Sequence, residues 1–192
     1  MLPRLETARL ELRPLALEDA PQIQQLFPRQ VTVDYLALRV PWPYPEDGAL
    51  TFIRDHALPG MERGEQWHWT LRLKTTRLKA QPAQIIGLIS LRKGDENNRG
   101  FWIATPWQRQ GLMTEAADVV TDYWFDVLEF PKMRIPKAAP NLASRRISER
   151  QGMRIVGIEE RDYIGGRFPT EIWEITADEW KSRRTNDRAP IA

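Results

Sequence analysis

The residues best suited to chemistry lie in a polar turn between a predicted strand and a predicted helix. The turn runs from Pro106 to Gly111, and the apolar pattern of a helix begins after it with Leu112 and Met113. The first amide groups of a helix have no carbonyl partner within the helix and carry partial positive charge, so they can bind a phosphate. A glycine at 111 lets the backbone approach such an anion. Because a strand-to-helix turn also needs glycine for its geometry, these residues alone allow either a phosphate site or a simple turn.

A second set of polar residues opens a short helix predicted at residues 142–150. Asn141 lies three residues before Ser144, a spacing at which an asparagine caps a first helical turn, a role worth about 1 kcal/mol. The residues alone favour this capping role. Arg145 and Arg146 could hold a phosphate or lie in solvent as ordinary helix arginines.

Two further residues could act as a base, and each has a simpler interpretation. Glu115 lies in the first turn of the long helix, where a carboxylate complements the helix dipole. His68 lies on the polar face of a strand, where a hydrogen-bonded or solvated histidine is common. We favour the structural interpretation of both.

Composition excludes several other kinds of site. The chain has no cysteine, which rules out thiol nucleophiles and cysteine-based zinc sites, and its two histidines, His56 and His68, give little support for a metal. We therefore predict no metal. The 28 basic residues nearly balance the 26 acidic residues, so the net charge of +2 does not favour non-specific binding of nucleic acid.

Length and hydropathy suggest one domain. The 192 residues and 42% apolar content suffice for one sizeable core. We expect a domain at residues 1–180 and a flexible basic tail at residues 181–192. There is no apolar run near the roughly 20 residues needed to span a bilayer. With no visible leader and no cysteine, we expect a cytoplasmic protein that does not bind membranes.

The elements that must position the polar residues alternate between strands and helices. Period-two alternation predicts strands, and apolar residues three and four apart predict helices. Strands are predicted at residues 9–15, 67–74, 85–91, 100–104, 133–138, 155–162 and 168–176, and helices at 19–27, 47–62, 111–127 and 142–150. This order, without an internal repeat, predicts one mixed α/β unit.

The polar turn and several other segments resemble a known family. Gln108-x-x-Gly111-x-Met113 is similar to the Gln/Arg-x-x-Gly-x-Gly/Ala motif of GNAT acetyltransferases, in which backbone amides bind the pyrophosphate of acetyl-CoA. Further segments resemble the RimJ/RimL-like branch, which acetylates proteins and small amines. They run in the family's order from about residue 5 to residue 175: Leu5-Glu6-Thr7-x-Arg9-Leu10-x-Leu12-Arg13-Pro14-Leu15, Gly100-Phe101-Trp102, Thr114-Glu115-Ala116 and Asn141-x-x-Ser144.

The resemblance implies a fold and a reaction. The fold is the GNAT fold: a single mixed, mostly antiparallel sheet of about seven strands, with helices on both faces and a splayed cleft between the fourth and fifth strands. The reaction is acetyl transfer from acetyl-CoA to a primary amine, a protein N-terminus or a small amine, by direct attack in a ternary complex. The implied enzyme is an acetyl-CoA-dependent N-acetyltransferase that needs no metal and no nucleic acid and is a monomer or homodimer.

The resemblance also implies roles for individual residues. Ser144 matches the position that protonates the departing thiolate, and Asn141 matches the residue that positions the pantetheine arm. A backbone amide near Ile103 is expected to meet the thioester oxygen as it becomes negative. The residues expected to bind acetyl-CoA are Ile103, Gln108, Arg109, Gln110, Gly111, Leu112, Met113, Thr114 and Asn141.

The acceptor side is expected at the loop Val40 to Pro45, between the first two helices. In GNAT folds this region lies over the cleft, on the side opposite the acyl carrier, acetyl-CoA. Three prolines stiffen the loop, and Trp42 and Tyr44 offer apolar faces that can also attract an ammonium group. We predict that both residues contact the acceptor. Trp42 could equally fill the core beneath the loop.

Three residues depart from the family's pattern. Met113 is bulkier than the usual small residue of the motif. Asn98 stands where this branch often has an acidic residue, which leaves the general base open. Pro136, in the fifth predicted strand, cannot donate a ladder hydrogen bond, which is compatible with a strand that borders a splayed cleft.

Two other functions are consistent with the sequence. One is a non-catalytic GNAT-like module that binds acyl-CoA or a partner, since binding needs only the turn. The other is a nucleic-acid-binding α/β domain, suggested by the basic pI of 9.0 and disfavoured by the nearly balanced charge. The sequence does not identify the acceptor amine.

Overall fold

The computed structural model of the protein describes residues 2–30, 34–74, 84–94 and 96–187. Within these ranges, strands form two sheets. The larger sheet has the order β1-β2-β3-β4-β5, with β1 (Leu5–Glu6), β2 (Leu10–Pro14), β3 (Gln66–Leu73), β4 (Ile85–Arg92) and β5 (Arg99–Ile103). The smaller sheet has the order β6-β8-β7, with β6 (Lys132–Ala138), β7 (Arg154–Tyr163) and β8 (Gly166–Thr176). All the pairs within each sheet are antiparallel.

The helices lie between and after these strands. They are α1 (Ala20–Gln30), α2 (Gly48–Phe52), α3 (Leu58–Glu62), α4 (Leu112–Asp122), α5 (Leu142–Arg150) and α6 (Ala177–Asp187). A π-helical turn, Ile53–Ala57, joins α2 to α3, and another, Tyr123–Val127, extends α4. In the described part of the chain, no helix is both long and apolar enough to cross a membrane.

The hydrophobic core is divided between the two faces of the larger sheet. Strand β4 is apolar on both faces, as expected for a strand covered on both sides. Its Ile86 and Ile89 belong to one cluster, which includes residues of α4 and α5. Its Ile85 and Leu88 belong to the other cluster, which includes residues of α1 and α2. Helices therefore cover both faces of the sheet.

The two sheets meet at the starts of β5 and β6. The amide of Asn98 donates to the carbonyl of Arg134 (2.8 Å), and the amide of Arg134 donates to Asn98 Oδ1 (2.6 Å). Three residues further along each strand, Lys137 Nζ lies 5.6 Å from the centre of the Phe101 ring, so the two strands run in the same direction. Among the described residues no ladder pairs β5 with β6. We call the space between these two strands the β5–β6 gap.

Pro136 lies on the edge of β6 that borders this gap. Backbone groups of alternate residues in a strand face the same side. The backbone of Arg134 faces β5, so the backbone of Pro136, two residues on, also faces away from β8. The missing N–H of Pro136 therefore costs no hydrogen bond with β8.

The predicted fold class is confirmed, with two refinements. The expected single sheet divides into a five-stranded and a three-stranded sheet that separate at the predicted cleft, and the short β1 adds a strand to the seven predicted. The predicted mixture of parallel and antiparallel strands corresponds to β5 and β6, which run in the same direction but, among the described residues, form no ladder of hydrogen bonds.

The end of the described chain is helical. Helix α6 continues to Asp187, with Trp180 buried and donating from Nε1 to Asp122 Oδ1 (2.9 Å). Arg184 donates to the same carboxylate (2.7 Å) and to Asp126 (2.6 Å). The predicted domain boundary at residue 181 thus falls inside α6, and residues 188–192 lie outside the described part of the chain.

Candidate functional site

Residues 108–114, which we call the carrier turn, have the backbone geometry that the sequence suggested. Gly111 is the N-cap of α4 and has φ 76° and ψ 0°, and Arg109 has φ 60°. Both lie in the left-handed region, which glycine adopts without strain and other residues rarely adopt. Glycine at 111 is therefore explained by its conformation.

The carrier turn presents free amide groups. Within the described residues, the amides of residues 109–114 donate to no carbonyl or side chain, whereas the next amide, that of Glu115, donates to the carbonyl of Gly111 (3.1 Å). Arg109, Gln110 and Gly111 are exposed, so this part of the turn is open to a ligand. The side chains of Leu112 and Met113 are buried in the core, at 2% and 7% exposure. The bulk of Met113 consequently points into the protein.

Two glutamines brace the carrier turn from within. Gln108 Nε2 donates to the carbonyl of Ile103 (3.1 Å), at the end of β5, and Gln110 Nε2 donates to the carbonyl of Pro106 (2.9 Å). The first bond ties the carrier turn to the strand that borders the β5–β6 gap. The predicted carrier-binding residues 108–114 and Ile103 are thus brought together.

The N-terminal segment holds the carrier turn from outside. Glu115 accepts hydrogen bonds from Thr7 Oγ1 and from the amide and Nε of Arg9, both of the latter at 2.8 Å. Arg9 Nη1 also donates to the carbonyl of Gln110 (2.9 Å). Although partial burial opposes ionisation, the hydrogen bonds from Thr7 and Arg9 lower the pKa of Glu115. Glu115 is an ion-paired brace, whereas the sequence analysis expected it to complement the helix dipole and did not predict the pair with Arg9.

Thr7 and Arg9 are site residues that the sequence analysis did not single out. Their signal was present in the segment Leu5-Glu6-Thr7-x-Arg9, which served only as part of a resemblance. The contacts give that segment a physical reason, because it pairs with Glu115 and Gln110 more than 100 positions away.

The amide of Ile103 faces the β5–β6 gap. Ala104, the next residue, donates its amide to the carbonyl of Ile86 on β4 (2.9 Å). Because the direction alternates along a strand, the backbone groups of Phe101 and Ile103 face away from β4, toward β6. The carbonyl of Ile103 is occupied by Gln108, and its amide points into the gap.

Asn141 and Ser144 lie at the open end of the same gap, where β6 passes into α5. Asn141 is the N-cap of α5, and its Oδ1 accepts from the amide of Ser144 (3.2 Å). The amide of Asn141 donates to the carbonyl of Ala138, the last residue of β6 (2.9 Å). Both side chains are partly exposed. The helix cap favoured by the residues alone is present, and it places both residues at the edge of the gap.

Lys137 was missed by the sequence analysis and contacts Ser144 directly. Its Nζ donates to Ser144 Oγ (2.9 Å) and to the Ser144 carbonyl oxygen, and its side chain is 3% exposed. Burial, reinforced by the nearby charge of Arg99, lowers the pKa of Lys137 well below its usual value. The available signal was a lysine in line with the buried Met133 and Ile135 along β6.

Asn98 and His68 are both enclosed. Asn98 is 2% exposed, and besides accepting from Arg134 it donates from Nδ2 to the carbonyls of Arg92 (3.1 Å) and Gly94. His68 is 2% exposed, and its Nε2 lies 2.9 Å from Gln66 Oε1. Burial, with smaller effects of Arg92 and Arg39, lowers the pKa of His68 to about 3. Both side chains are therefore buried and hydrogen-bonded to neighbouring residues of the fold.

The two predicted acceptor residues have different surroundings. The Tyr44 ring lies 4.9 Å from the Phe27 ring and packs against the cluster of α1 and α2, and burial raises the pKa of Tyr44 to about 12. Trp42 is partly exposed and belongs to neither core cluster of the described residues. Tyr44 therefore anchors the loop, and Trp42 remains available at its surface.

Residues 34–36, which precede the loop that contains Trp42 and Tyr44, contact the β7–β8 hairpin. The amides of Ile164 and Gly165 donate to the carbonyls of Leu36 (2.9 Å) and Asp34 (3.0 Å). The Tyr35 ring meets the Phe168 ring edge to face, at 5.6 Å between centres. Residues 34–36 therefore contact the hairpin, and we call residues 34–45 the acceptor loop.

Comparison with known proteins gives an independent result. A profile of the acetyltransferase (GNAT) domain family matches residues 9–154, which is well over half of the chain. A Bacillus subtilis (strain 168) protein, YdaF, whose name assigns it provisionally to the ribosomal N-acetyltransferases, is 31% identical over 107 residues. That match covers 52% of this chain and 58% of YdaF, so the similar region is somewhat more than half of that relative.

Solved structures share the fold. A ribosomal-protein-S5-alanine acetyltransferase from Vibrio fischeri has a TM-score of 0.76 at 15% identity, over 93% of this chain and 98% of that chain. RimL, a ribosomal L7/L12 α-N-protein acetyltransferase solved in complex with coenzyme A, has a TM-score of 0.74 at 14% identity, over 92% of this chain and 99% of that chain. At these identities the likeness concerns the fold.

Proposed function

Because the chain belongs to the GNAT acetyltransferase family, we propose that it transfers the acetyl group of acetyl-CoA to a primary amine by direct attack within a ternary complex. The observation that carries the proposal is the row of amides at residues 109–114, which donate to no other described residue and lie at the start of α4, beside the β5–β6 gap. The predicted class, an acetyl-CoA-dependent N-acetyltransferase, is the class of this family.

The carrier turn fits the pyrophosphate of acetyl-CoA. A helix N-terminus with unpaired amides favours an anion, and the exposed backbone of Arg109, Gln110 and Gly111 gives access to it. Gln108 fixes the turn to β5 from behind, while Leu112 and Met113 hold the first turn of α4 in the core. We assign pyrophosphate binding to the backbone of residues 108–114.

The β5–β6 gap would receive the pantetheine arm and the thioester. The Ile103 amide points into this gap and can donate to the thioester oxygen as negative charge develops there. Asn141 and Ser144 lie at the open end, where Asn141 would position the arm and Ser144 would protonate the leaving sulfur. Acetyl-CoA supplies the activated acetyl group, and the chain supplies the donors around it.

The proton of the attacking amine passes to water in this proposal. Neither the two side chains considered as bases, Glu115 and His68, nor Asn98 at the position that is often acidic, is suited to accept it. Asn98 has no basic group, the low pKa of His68 makes it a very weak base, and Glu115 is committed to Thr7 and Arg9. A water chain at the mouth of the gap needs no residue with a tuned pKa.

The proposed acceptor is the α-amine of a protein N-terminus, with small amines as the second class to test. The support is that YdaF, the Vibrio fischeri enzyme and RimL are all named for ribosomal-protein acetylation. Trp42, at the surface of the acceptor loop, would contact the acceptor, while Tyr44, predicted as a second contact, would hold the loop in place by packing on Phe27. The protein is also proposed to be cytoplasmic and to be a monomer or a homodimer.

Mass spectrometry of acetylated products tests it. The protein is incubated with acetyl-CoA and peptides that have a free N-terminus, the same peptides with a blocked N-terminus and an internal lysine, and a polyamine. We expect acetylation of the free α-amine first. Binding of acetyl-CoA without acetylation of any amine would instead identify a non-catalytic binding module, and absence of binding would contradict the whole proposal.

A further inference from the structure

Lys137 is a buried lysine whose Nζ hydrogen bonds go to Ser144. Its side chain follows Met133 and Ile135 along the inward face of β6, but it ends in an ammonium group where they end in apolar carbons. Burying an ammonium group is costly, so buried lysines need specific partners. Here Nζ donates to Ser144 Oγ at 2.9 Å and to the carbonyl oxygen of the same residue.

These contacts fix the direction of the Ser144 hydroxyl. A serine hydroxyl has one hydrogen to donate and two lone pairs to accept with. When Lys137 is protonated, Oγ accepts from Nζ, so its own hydrogen points to another acceptor. Asn141 Oδ1 fixes the backbone of Ser144 at the same time, at 3.2 Å from its amide. The positive charge of Lys137 also favours the ionised form of the hydroxyl and makes it a better acid.

Two charged residues, Arg99 and Glu149, act on Lys137, and a hydrogen-bond network links Arg99 to Asp118. Arg99 on β5 is buried, and its guanidinium bonds to Thr121 and Gln151 (2.7 Å each), with Gln151 in turn bonded to Asp118 on α4 (2.9 Å). Burial and the charge of Arg99 lower the pKa of Lys137, and Glu149 on α5 partly opposes this lowering.

The carboxylate opposite Lys137 on β8 is already engaged. Glu171 lies opposite Lys137 in the β6–β8 ladder, and its Oε2 lies 2.8 Å from Arg145 Nε. Lys137 therefore faces one competing cation, Arg99, and shares no direct ion pair among the described residues. Such a group gives up its proton more readily than an exposed lysine.

We propose that Lys137 and Ser144 form a proton relay to the leaving sulfur, in which Lys137 is the positioning and proton-supplying residue behind Ser144. The inference rests on the proposed function and adds a residue to it. As the carbon–sulfur bond breaks, the Ser144 Oγ–H proton moves to sulfur and a thiol forms. A proton from Lys137 Nζ restores the hydroxyl, leaving a neutral amine. The proton that the attacking amine released to water returns to Lys137, so the cycle closes without net change.

The test is the pH dependence of kcat in four variants. In the parent, kcat should fall as pH rises through the lowered pKa of Lys137, because the ammonium form is lost. Lys137→Met should lower kcat by about 10- to 100-fold and remove this alkaline fall, with the KM for acetyl-CoA nearly unchanged. Ser144→Ala should do the same, since Lys137 acts through Ser144. Lys137→Arg should remove the alkaline fall, because a guanidinium keeps its proton, and should also lower kcat, because a guanidinium cannot supply that proton to Ser144. Lys132→Met, on the same strand, is the matched control and should behave as the parent.

The double variant separates a relay from a structural role. Lys137→Met with Ser144→Ala should be no slower than Ser144→Ala alone, because residues that act as a unit are not additive. Additive losses, or an alkaline fall that persists in Ser144→Ala, would overturn the relay. If Lys137→Met does not fold, the pH profiles of Lys137→Arg and Ser144→Ala decide the matter. A parent that acetylates no amine would reject the proposed function instead, so the two failures are distinct.

Discussion

The carrier turn and the acceptor loop are built in opposite ways. The carrier turn presents backbone amides, and its side chains brace it: Gln108 to Ile103, and Arg9 to Glu115 and Gln110. The acceptor loop presents side chains, and its backbone is held by the β7–β8 hairpin and by the Tyr44 ring. The first region offers a ligand backbone amides, which any residue except proline has, and the second offers side chains, which a substitution can change.

This difference explains what each region can recognise. A pyrophosphate is the same in every molecule of acetyl-CoA, so a site of amides at a helix start suffices for it. An acceptor varies, and selecting one requires side chains of particular size and charge. Substitutions in the carrier turn should therefore affect the carrier alone, and substitutions at the tip of the acceptor loop should affect the acceptor alone.

The largest expected effect is at Gly111. Gly111→Asp should abolish the stabilisation by acetyl-CoA, because it places a carboxylate beside the pyrophosphate and strains a left-handed residue. In the parent, a ligand at about 100 times its Kd should stabilise the fold by about 2.7 kcal/mol. Thermal unfolding with and without acetyl-CoA measures the difference.

Gly64→Asp is the matched control for Gly111→Asp. Gly64 has φ 67°, and a Cβ added there meets no atom within 4 Å. It therefore brings the same strain and the same charge to a surface remote from the carrier turn, and it should keep the full stabilisation by acetyl-CoA. A normal response from Gly111→Asp would mean that the carrier binds elsewhere.

The next effect separates the two aromatic residues of the acceptor loop. Tyr44→Ala should cost roughly 3 kcal/mol of unfolding free energy, because it removes the ring that packs on Phe27. Trp42→Ala should cost little stability and raise the KM of the acceptor about tenfold, with the KM of acetyl-CoA unchanged. Chemical denaturation and steady-state kinetics give both quantities. A strongly destabilised Trp42→Ala with unaltered acceptor kinetics would move the acceptor site away from Trp42.

A smaller effect should appear at the brace of the carrier turn. Glu115→Gln weakens the contacts with Thr7 and Arg9, so the KM of acetyl-CoA should rise up to tenfold while that of the acceptor stays the same. Glu65→Gln is the control, since Glu65 forms an exposed pair with Arg63 (2.8 Å). An equal rise in both Michaelis constants would show that the two regions are not independent.

The smallest effect on activity is expected at His68. Since its pKa is about 3, the residue stays neutral at working pH, and His68→Gln should leave the pH profile of kcat unchanged above pH 5. Its effect should appear in acid stability. In the parent, the unfolded chain binds a proton near pH 6.5 that the folded chain rejects, so stability falls as pH drops from about 6.5 toward 3. His68→Gln should lose less stability over this range, and acid titrations followed by circular dichroism measure it. A changed pH profile of kcat in His68→Gln would show instead that His68 takes part in the reaction.

Local sequence signals predicted the parts of the site that depend on local geometry. Gly111 and the Asn141 cap follow from the start of a helix, where backbone needs are similar in any fold. The strand and helix periods led to the fold class in the same way. The family resemblance added the order of the segments.

The remaining parts depend on contacts between distant residues. Arg9 and Glu115 are 106 positions apart, and no local pattern indicates that they meet. Lys137 looked like an ordinary strand residue until α5 placed Ser144 against it. Trp42 and Tyr44 are indistinguishable in a proline-rich loop, and only the position of Phe27 shows which one is the anchor. Tertiary packing made these distinctions.

The hydrogen bonds of Asn98 restrict which residue can stand at position 98. The side-chain Oδ1 accepts from the amide of Arg134, and Nδ2 donates to the carbonyls of Arg92 and Gly94. The site therefore requires a side chain with one acceptor oxygen and a nitrogen that donates two hydrogens. An aspartate would set a carboxylate oxygen against two carbonyl oxygens in a buried site. An acidic residue cannot arise there in one mutational step without loss of stability. A carboxylate at residue 98 would therefore need compensating changes in the loop at residues 92–94, whose carbonyls accept hydrogen bonds from this side chain.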